Sequence, residues 1–459
     1  MKLKKKCGIF GLFSIKYDNT LIDKTIIGLE HLQHRGREAA GISYYNDNIV
    51  VYKNFGLVKS IFKDFKNNNI LVKSCIGHTR YSTTKKSNKS LSEQFDNIQP
   101  LYSELYDFSL VHNGNIPNMD NIIKKYNITE MKTDSDSEIF VKLIQMSKKK
   151  TFDEKVIEIV DKIPGVYSLI IQTKEAIYGI KDRYGIRPLC LAHNGETFCL
   201  SSESTYTGEC SYIRELLSSE VVKIDNNGVN TIYKNDTNIS NFCLFERIYF
   251  MKHTSTMNNE LIESQRYTFG YKLGESEDIL EYNNKHIIVV DIPNTAIPSA
   301  KGYADALNLK YTPIFEKISG TGRTFILPNN NSRYTTNRKG LKFKDNVTLD
   351  TTQSIVLVDD SLVRGNTIKS IVQKLHEYGI TDIHLRISSP PVKYPCYYGI
   401  DIPTKEELLA YNHTIPEIEN LLGITSLRYL DYDEMAKLYE GTHCGSCFTG
   451  KYNNELMNW

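Results

Sequence analysis

The stretch SIVLVDDSLVRGNTIKSIVQKLHEYGITDIHLRI, residues 354–387, restricts the fold of this chain more than any other part of the sequence. Residues 355–358 have the length and apolar character of a buried strand, and they run directly into Asp359 and Asp360. A helix follows, and its apolar face and its stop are formed by Ile368, Ile371, Val372, Leu375 and Gly379. Residues 380–387 have the pattern of a second strand, which completes a βαβ unit. Such a unit predicts a parallel sheet and an α/β fold.

The turn between this strand and this helix has the residue types of an anion site. Residues 361–367 are rich in Ser, Gly and Thr, and the helix start presents backbone N–H groups and the positive end of its dipole. The spacing of a Walker loop is absent. An acidic cap on an ordinary Rossmann-like strand is the alternative, and at this point the residues leave both interpretations open.

The composition sets the class of protein. A chain of 459 residues exceeds the size at which one core keeps growing, so we expect two domains or more. With 40% hydrophobic and 24% charged residues it resembles a soluble globular protein, and a formal charge of +2 predicts no nucleic-acid or membrane partner. No apolar run approaches the roughly 18 residues of a membrane span. Nine cysteines without a secretory signal indicate a reducing compartment, so we predict a cytoplasmic protein.

The beginning of the chain, MKLKKKCGIFGLFSIKY, places a cysteine between a run of lysines and an apolar segment. A secretory signal has this order, but Lys16, Tyr17 and Asp18 follow at once and no small-residue cleavage site is present. A first β-strand with an incidental buried Cys7 is the other simple interpretation, because free cysteines are often buried.

From Cys7 to about residue 240, short β-type runs alternate with polar turns. Residues 21–34 predict a helix, whose apolar face consists of Ile22, Ile26, Leu29 and, at its margin, Ile27. Four polar motifs recur at the ends of the strands, namely HRGREAAG at 34–41, GHTRYST at 77–83, HNGN at 112–115 and SDSE at 135–138. Taken singly, Asn-Gly is a tight-turn pair and Ser-Asp-Ser-Glu is an N-cap box.

Taken together behind CGIFG, these motifs resemble the glutaminase domain of the N-terminal-nucleophile amidotransferases. The resemblance implies a four-layer αββα fold in which residues 1–6 are a propeptide and Cys7 becomes the first residue. The Cys7 thiolate would attack the glutamine amide with its own α-amine as general base, since a thiol near pKa 8.5 needs a nearby base. It implies an oxyanion hole made of the Asn113 side chain and the Gly114 backbone amide.

The same resemblance supplies the residues that bind glutamine. Arg80 would hold the α-carboxylate in a charge-assisted pair. Asp136 would accept the α-ammonium group, and Arg35 would help to order the loop over the site.

The stretch VDDSLVRGNT resembles the phosphoribosylpyrophosphate (PRPP) motif of the type I phosphoribosyltransferases, which implies a Rossmann-like parallel sheet. Asp359 and Asp360 would grip the ribose hydroxyls and a Mg²⁺ ion. The 5′-phosphate would bind in the turn 361–367, at Ser361, Arg364, Gly365 and Thr367.

Two further loops resemble parts of the same family. HIIVVDIPNTAIP, which ends a strand near Asp291, resembles the pyrophosphate-side loop, with Thr295 as a Mg²⁺ ligand. EKISGTGRTF resembles the flexible loop that closes over PRPP, with Lys317 and Arg323 at its basic positions. The chain departs from the family pattern in having Asn294-Thr295 for Asp-Ser and Ser319-Gly320 for Arg-Tyr.

With ISSPPVKYPCYYGID added, the likeness runs from Cys7 to about Lys451. Over this length the chain resembles the family of glutamine PRPP amidotransferases, or amidophosphoribosyltransferases, in its iron–sulfur form. A lone C-x-x-C such as 444–447 could be a redox pair or half of a zinc site. By the resemblance, one [4Fe–4S] cluster per subunit is bound by Cys243, Cys396, Cys444 and Cys447. The other cysteines are expected in the core, and they are Cys75, Cys190, Cys199 and Cys210.

The resemblance therefore predicts an enzyme that makes 5-phosphoribosylamine from glutamine and PRPP, in the first committed step of purine synthesis. Its parts would be a glutaminase domain (7–240), an interdomain segment (241–265), a phosphoribosyltransferase domain (266–435) and a tail (436–459). One Mg²⁺ per subunit, purine nucleotide feedback inhibitors and a homotetramer are further implications. A non-catalytic regulator that binds PRPP or a nucleotide is one rival. A glucosamine-phosphate or asparagine-forming amidotransferase is another, and the PRPP motif argues against it.

Overall fold

The computed structural model describes residues 7–65, 67, 69–81, 90–235, 241–277, 286–317, 340–345, 347–402, 404–439 and 443–458. The predicted propeptide, the predicted PRPP contact Arg323 and the departures at Ser319 and Gly320 lie outside these residues. Within them, no helix is both long enough and apolar enough to cross a membrane.

The first half of the chain forms two antiparallel sheets. Its strands are β1 (Cys7–Asp18), β2 (Ala39–Asn46), β3 (Asn48–Phe55), β4 (Val72–Arg80), β5 (Leu101–Ser103), β6 (Phe108–Asn115), β7 (Val166–Gln172), β8 (Ile177–Lys181), β9 (Cys190–His193), β10 (Thr197–Ser201), β11 (Ser211–Glu215), β12 (Val221–Asp225) and β13 (Gly228–Tyr233). One sheet has the order β11-β9-β10-β1-β4-β2-β3, and the other has the order β13-β12-β8-β7-β6-β5.

Six helices accompany these strands in the described part of this half. They are α1 (Leu21–His31), α2 (Val58–Ile61), α3 (Leu91–Asp96), α4 (Met119–Lys125), α5 (Ser137–Met146) and α6 (Phe152–Lys162). The outer face of the first sheet packs against α1, and the outer face of the second packs against α5 and α6. The order helix, sheet, sheet, helix is the predicted αββα arrangement.

Strand β1 shows why two sheets pack face to face. Ile9 and Phe13 point into the layer between the sheets, whereas Phe10 and Leu12 point towards α1. Both faces of residues 7–13 of β1 are therefore buried, and this explains the unbroken apolar sequence of that part of the strand. The predicted apolar face of α1 is correct for its buried residues but wrong for Ile27, which is 42% exposed because it lies beyond the edge of the buried stripe.

The second half contains the predicted parallel sheet. Its strands are β14 (Phe242–Cys243), β15 (Thr256–Met257), β16 (Glu260–Leu261), β17 (Ile287–Asp291), β18 (Lys310–Tyr311), β19 (Phe315–Lys317), β20 (Leu341–Phe343), β21 (Ser354–Asp359), β22 (Ile383–Ile387), β23 (Ser426–Tyr429) and β24 (His443–Cys444). Its helices are α7 (Ile262–Glu275), α8 (Ile297–Ala306), α9 (Asn366–Glu377), α10 (Leu409–Asn412), α11 (Ile415–Leu422), α12 (Tyr432–Lys437), α13 (Ser446–Thr449) and α14 (Asn454–Asn458).

Five of these strands form a parallel sheet in the order β18-β17-β21-β22-β23. Alternate residues of β21 pack on opposite sides, with Val356 and Val358 towards α7 and α8, and Ile355 and Leu357 towards α9 and α11. The unit β21-α9-β22 confirms the predicted βαβ unit, and the four predicted apolar residues of α9 are buried. Gly379 follows the helix with φ of +88°, a conformation that suits a glycine stop.

Candidate active site

Cys7 begins β1, which lies between β4 and β10 inside the first sheet, and its side chain is buried. The strand pairing places Cys7 opposite Arg80 of β4. Its carbonyl oxygen accepts a hydrogen bond from Nε of Arg35 at 3.1 Å. The residue predicted to become the mature N-terminus is therefore held by a central strand and by a buried guanidinium.

Arg35, which contacts the backbone of Cys7, belongs to a network of buried charged side chains. Its guanidinium donates to Glu203 Oε1 at 2.6 Å and to both carboxylate oxygens of Glu246, at 2.7 and 3.0 Å. Oε1 of Glu246 also lies 2.8 Å from Nη2 of Arg187. Burial raises the pKa of Glu246, but the two guanidiniums outweigh it and hold that pKa below its usual value. The pairing keeps both acids charged in a site without solvent.

Asn113 and Gly114 lie inside strand β6, so the tight-turn interpretation of the Asn-Gly pair is wrong. Gly114 has φ of +155°, and a Cβ there would lie 2.1 Å from the carbonyl oxygen of Val166 on the paired strand β7. Only glycine fits this close approach of two backbones. Oδ1 of Asn113 accepts a hydrogen bond from Nη2 of Arg187 at 3.0 Å. The amide is therefore oriented with its oxygen towards Arg187 and its donor, Nδ2, on the other side.

The hydroxyl of Ser202 links the strand of Cys7 to Asn113. Its Oγ accepts from the backbone amide of Ile9 at 3.1 Å and lies 3.5 Å from Nδ2 of Asn113. Ser202 thus bridges β1, the strand that begins with the predicted nucleophile, and the predicted oxyanion-hole amide of β6.

The predicted glutamine-binding residues Arg80 and Asp136 are both buried. Nη1 of Arg80 donates to the carbonyl oxygen of Gln94 at 3.0 Å, and its Nε has no partner among the described residues. Oδ2 of Asp136 accepts from the backbone amide of Ile116 at 3.1 Å. Ile116 directly follows β6, so this hydrogen bond holds Asp136 next to the strand that contains the predicted oxyanion-hole residues.

The motif SDSE at 135–138 does not form the capping box that was the alternative to a site. Asp136 precedes α5, but its side chain makes no cap hydrogen bond to that helix. Glu138 instead accepts from the backbone amides of Lys132 and Thr133, at 2.8 and 2.6 Å. The motif therefore orders the preceding loop through Glu138, while Oγ of Ser135 accepts from the backbone amide of Ser137, the first residue of α5, at 3.3 Å.

A segment of the second half, residues 397–401, contacts the first site directly. Nδ2 of Asn115 donates to the carbonyl oxygen of Tyr397 at 2.7 Å. Gly399 has φ of +101°, and a Cβ there would lie 3.2 Å from the carbonyl carbon of Gly114. The hydroxyl of Tyr81, the residue after Arg80, donates to Oδ2 of Asp401 at 3.0 Å.

The paired acids of the predicted PRPP site lie at the carboxyl edge of the parallel sheet. Asp359 ends β21 and Asp360 follows it, and both are buried. Burial and the Asp360 carboxylate raise the pKa of Asp359 well above its usual value, and Lys317 at the end of β19 opposes them. Two crowded carboxylates favour a bound cation, and oxygen donors suit Mg²⁺. Thr295 is half-buried after β17, the neighbouring strand.

The turn predicted to bind phosphate lies between β21 and α9. Gly365 has φ of +75° immediately before α9, a twelve-residue helix whose first backbone amides have no partner within the helix. Oγ of Ser361 donates to Asp360 Oδ1 at 2.6 Å, and Nε of Arg364 pairs with Glu407 at 2.8 Å. Thr367 lies in the first turn of α9.

The four cysteines predicted as cluster ligands line one cavity, with Arg187 among the other residues that line it. Cys243 and Cys444 are direct neighbours in the parallel pair β14–β24, Cys447 lies in α13, and Cys396 comes from a loop. Burial raises the pKa of all four thiols. Thiolate donors suit an iron–sulfur cluster or zinc. In the part of the chain that the structure covers, no three His, Cys, Asp or Glu side chains form a site for a single metal ion.

The remaining four cysteines are buried in the first half, as expected for core residues. Burial raises the pKa of Cys75 to about 12 and that of Cys210 to about 11. Their thiols are therefore protonated at neutral pH and are poor nucleophiles.

Sequence reasoning did not find Arg187, Glu203, Glu246 or the contacts of residues 397–401. Arg187 and Glu246 stand in apolar stretches, IRPLCL and FERIYF, whereas Glu203 stands between two serines in LSSES. Charges in such apolar surroundings are a signal for buried ion pairs, although they do not reveal the partners.

Comparisons with known proteins agree with this architecture. A family model described as "Glutamine amidotransferase domain" matches residues 87–207. Proteins named amidophosphoribosyltransferase from Synechocystis sp. and Homo sapiens are 34% and 32% identical, over 98% and 99% of this chain and 91% and 98% of their own lengths.

A solved structure is similar over nearly the whole chain. It is the glutamine PRPP amidotransferase of Bacillus subtilis in complex with ADP and GMP, with a TM-score of 0.84, 30% identity and coverage of 97% of both chains. A second, described as the allosteric regulatory enzyme of purine biosynthesis, has a TM-score of 0.85 at 30% identity, covering 97% of this chain and 96% of its own. With an αββα half, a parallel-sheet half and this likeness along its full length, the chain belongs to the amidophosphoribosyltransferase family.

Proposed function

We propose that this chain hydrolyses glutamine at Cys7 and passes the ammonia to PRPP, giving 5-phosphoribosylamine, glutamate and pyrophosphate in the first committed step of purine synthesis. The observation that carries this coupled reaction is the direct contact between the two halves, in which residues 397–401 touch the strand of Asn113 and Gly114. The proposed division is a propeptide (1–6), a glutaminase domain (7–240), an interdomain segment (241–265), a phosphoribosyltransferase domain (266–435) and a tail (436–459).

Glutamine hydrolysis would use Cys7 as nucleophile. After removal of the leader, the free α-amine of Cys7 has a pKa near 8 and takes the thiol proton. Nδ2 of Asn113 and the backbone amide of Gly114 donate to the oxyanion that forms on the amide carbon, and one such donor is worth about 10²–10³ in rate. The hydrogen bond from Arg187 to Oδ1 leaves Nδ2 as the donating end of Asn113.

The substrate glutamine would be oriented by opposite charges. Arg80 holds the α-carboxylate and Asp136 holds the α-ammonium. Both are buried, so each ion pair with the substrate forms with little screening by water. Nε of Arg35 holds the backbone of Cys7, and Arg35 would help to order the loop over the glutamine site.

The second half would bind PRPP at the carboxyl edge of its sheet. The 5′-phosphate lies against the start of α9, at Ser361, Arg364, Gly365 and Thr367, because the amides and the dipole of that helix favour an anion. Asp359 and Asp360 accept hydrogen bonds from the ribose hydroxyls. Lys317 and Arg323 contribute positive charge from the loop that closes over the pyrophosphate.

Two inorganic groups belong to this proposal. Mg²⁺, held by Asp359, Asp360 and Thr295, would offset the charge of the pyrophosphate as it leaves. A [4Fe–4S] cluster on the four cavity cysteines would be structural, because it joins the interdomain segment, a loop of the second half and the tail. One ion and one cluster per subunit are proposed.

The proposed partners are small molecules and copies of the same chain. Glutamine and PRPP are the substrates, and purine nucleotides are feedback inhibitors, in line with the ADP and GMP bound to the similar Bacillus subtilis enzyme. A cytoplasmic homotetramer completes the proposal, with no nucleic-acid or membrane partner.

The decisive experiment compares glutamine-dependent and ammonia-dependent synthesis in anaerobically purified protein. Cys7→Ala is expected to abolish the first and leave the second largely intact, whereas Cys75→Ala, the matched control in the core, keeps both. Equal loss of both activities in Cys7→Ala refutes the two-site reaction. In the wild type, glutamate release that ignores PRPP and Mg²⁺ would favour the regulator instead.

A further inference from the structure

Arg187 connects the oxyanion-hole residue to the cavity of the four cysteines. It follows β8 in a buried loop and is 1% exposed. Nη2 of Arg187 donates to Oδ1 of Asn113 at 3.0 Å and lies 2.8 Å from Oε1 of Glu246. The same side chain lines the cavity together with Cys243, Cys396, Cys444 and Cys447.

The other two nitrogens of the guanidinium are donors without acceptors. Nε and Nη1 of Arg187 are buried, and neither has a hydrogen-bond partner among the described residues. Buried donors of a charged group are rarely left unsatisfied, because their desolvation is then uncompensated. An acceptor is therefore expected on the cavity side, and the sulfur atoms of a thiolate-bound group are acceptors of this kind.

We infer that Arg187 is a positioning residue that fixes Asn113 through Nη2 and donates through Nε and Nη1 to the sulfur-rich group of the four-cysteine cavity, so that this group sets the geometry of the oxyanion hole. This inference rests on the roles proposed above for Asn113 and the four cysteines. It extends the role of the cavity from holding segments together to supporting glutamine hydrolysis.

The planar guanidinium makes this coupling physically direct. Its three nitrogens lie in one rigid plane, so a displacement of one nitrogen moves the others with it. With all three nitrogens engaged, Oδ1 of Asn113 stays on Arg187 and Nδ2 stays available to the oxyanion. With Nε and Nη1 unengaged, Arg187 is held only by Glu246 and Asn113, and it restrains the amide of Asn113 less firmly.

The first test replaces Arg187 by lysine, which keeps the charge but has no fork. Arg187→Lys is expected to lower kcat for glutamine hydrolysis by about tenfold to a hundredfold with KM changed less than about twofold, because Asn113 acts on the oxyanion and not on substrate binding. The control is Arg247→Lys, an equally buried arginine that bonds to Gln265 and stacks on aromatic rings, and it is expected to keep kcat within about twofold. Ammonia-dependent synthesis reports that each variant is folded.

A double-mutant cycle separates positioning from general damage. If Arg187 acts through Asn113, then Arg187→Lys in an Asn113→Ala background lowers kcat by less than about threefold. If each substitution lowers kcat by the same factor whether or not the other is present, the two residues act independently and the inference is overturned.

The reduction potential of the cavity group gives a readout that does not depend on activity. Loss of two N–H donors to sulfur destabilises the more negative reduced state, so Arg187→Lys lowers the potential. Asn113→Ala, which removes one of the two partners of Nη2 and is available even if Arg187→Lys fails to fold, shifts the potential too, whereas Ser202→Ala leaves it unchanged. Unaltered potentials in both variants with full iron content refute the link to the cavity. Wild-type protein without iron would instead refute the cluster assignment of the proposed function, and the cavity half of this inference with it.

Discussion

Replacement of Glu246 by glutamine tests whether the buried charge network holds the first half together. The carboxylate is inaccessible to solvent and makes contacts of 2.7, 2.8 and 3.0 Å with Arg35 and Arg187. Removal of one partner from a buried ion pair costs about 3–5 kcal/mol, because it leaves an uncompensated charge. Glutamine retains one carbonyl acceptor, so we expect a loss near the lower end, about 3 kcal/mol in the free energy of unfolding.

The matched control is Glu260→Gln. Glu260 is about half exposed and lies 3.9 Å from Nη1 of Arg247, and exposed ion pairs contribute roughly 0–1 kcal/mol. Urea unfolding followed by circular dichroism at pH 7.5 measures both losses. If the free energies of unfolding of the two variants fall by the same amount within about 0.5 kcal/mol, the charge network does not contribute the stability that its geometry indicates.

The pH dependence gives this prediction a second test. The pKa of folded Glu246 is held below its usual value of 4.5, so its stabilising charge is fully present above that value and is lost as the pH falls through the folded pKa. The difference in stability between the wild type and Glu246→Gln is therefore constant from about pH 8 to pH 5.5 and shrinks below about pH 4.5. A difference that grows on acidification contradicts the assigned charge state.

Three further outcomes follow from local geometry. Gly399→Ala adds a Cβ at 3.2 Å from a backbone atom of the oxyanion-hole glycine, so this variant should lose glutamine hydrolysis. Gly195→Ala has the same backbone strain with open space around it, so this control should keep glutamine hydrolysis. Equal kinetics of the two variants would refute the interface contact. Tyr81→Phe removes a buried hydrogen bond to Asp401, which should weaken the coupling free energy between the two sites by about 1 kcal/mol. PRPP should then stimulate glutamate release less than in the wild type, and unchanged stimulation would contradict the prediction. Iodoacetamide at pH 7.5 should spare Cys75, whose pKa is raised to about 12 by burial, and mass spectrometry of the native protein would reveal any labelling.

Local patterns were sufficient wherever the partners of a residue are close in sequence or repeat periodically. The unit β21-α9-β22 follows from its own spacing, and the apolar run of β1 follows from burial on both faces. Ile27 was placed wrongly because a helix of period 3.6 leaves residues at the margin of its apolar stripe undetermined. The Asn-Gly pair at 113–114 looks like a turn locally and becomes strand only because β7 pairs along it.

Long-range partners explain what the sequence could not supply. Glu246 bonds to Arg35, more than two hundred residues away, and no periodicity connects them. The resemblance identified Asn113 but not Arg187, which orients it. The contact between Gly399 and Gly114 depends on the packing of one half on the other, which no local pattern encodes.

The pairing of β14 with β24 has a consequence for the order in which the protein is made. It joins Cys243 to Cys444, about two hundred residues later in the chain. At roughly 5–20 residues per second, a ribosome needs about 10–40 s to deliver the second strand after the first. During that interval three of the four thiols of the cavity are missing until residue 396 is made, and two are still missing until residue 444 follows. A polypeptide that terminates before residue 444 cannot assemble the cavity, so loading of that site would distinguish finished chains from truncated ones.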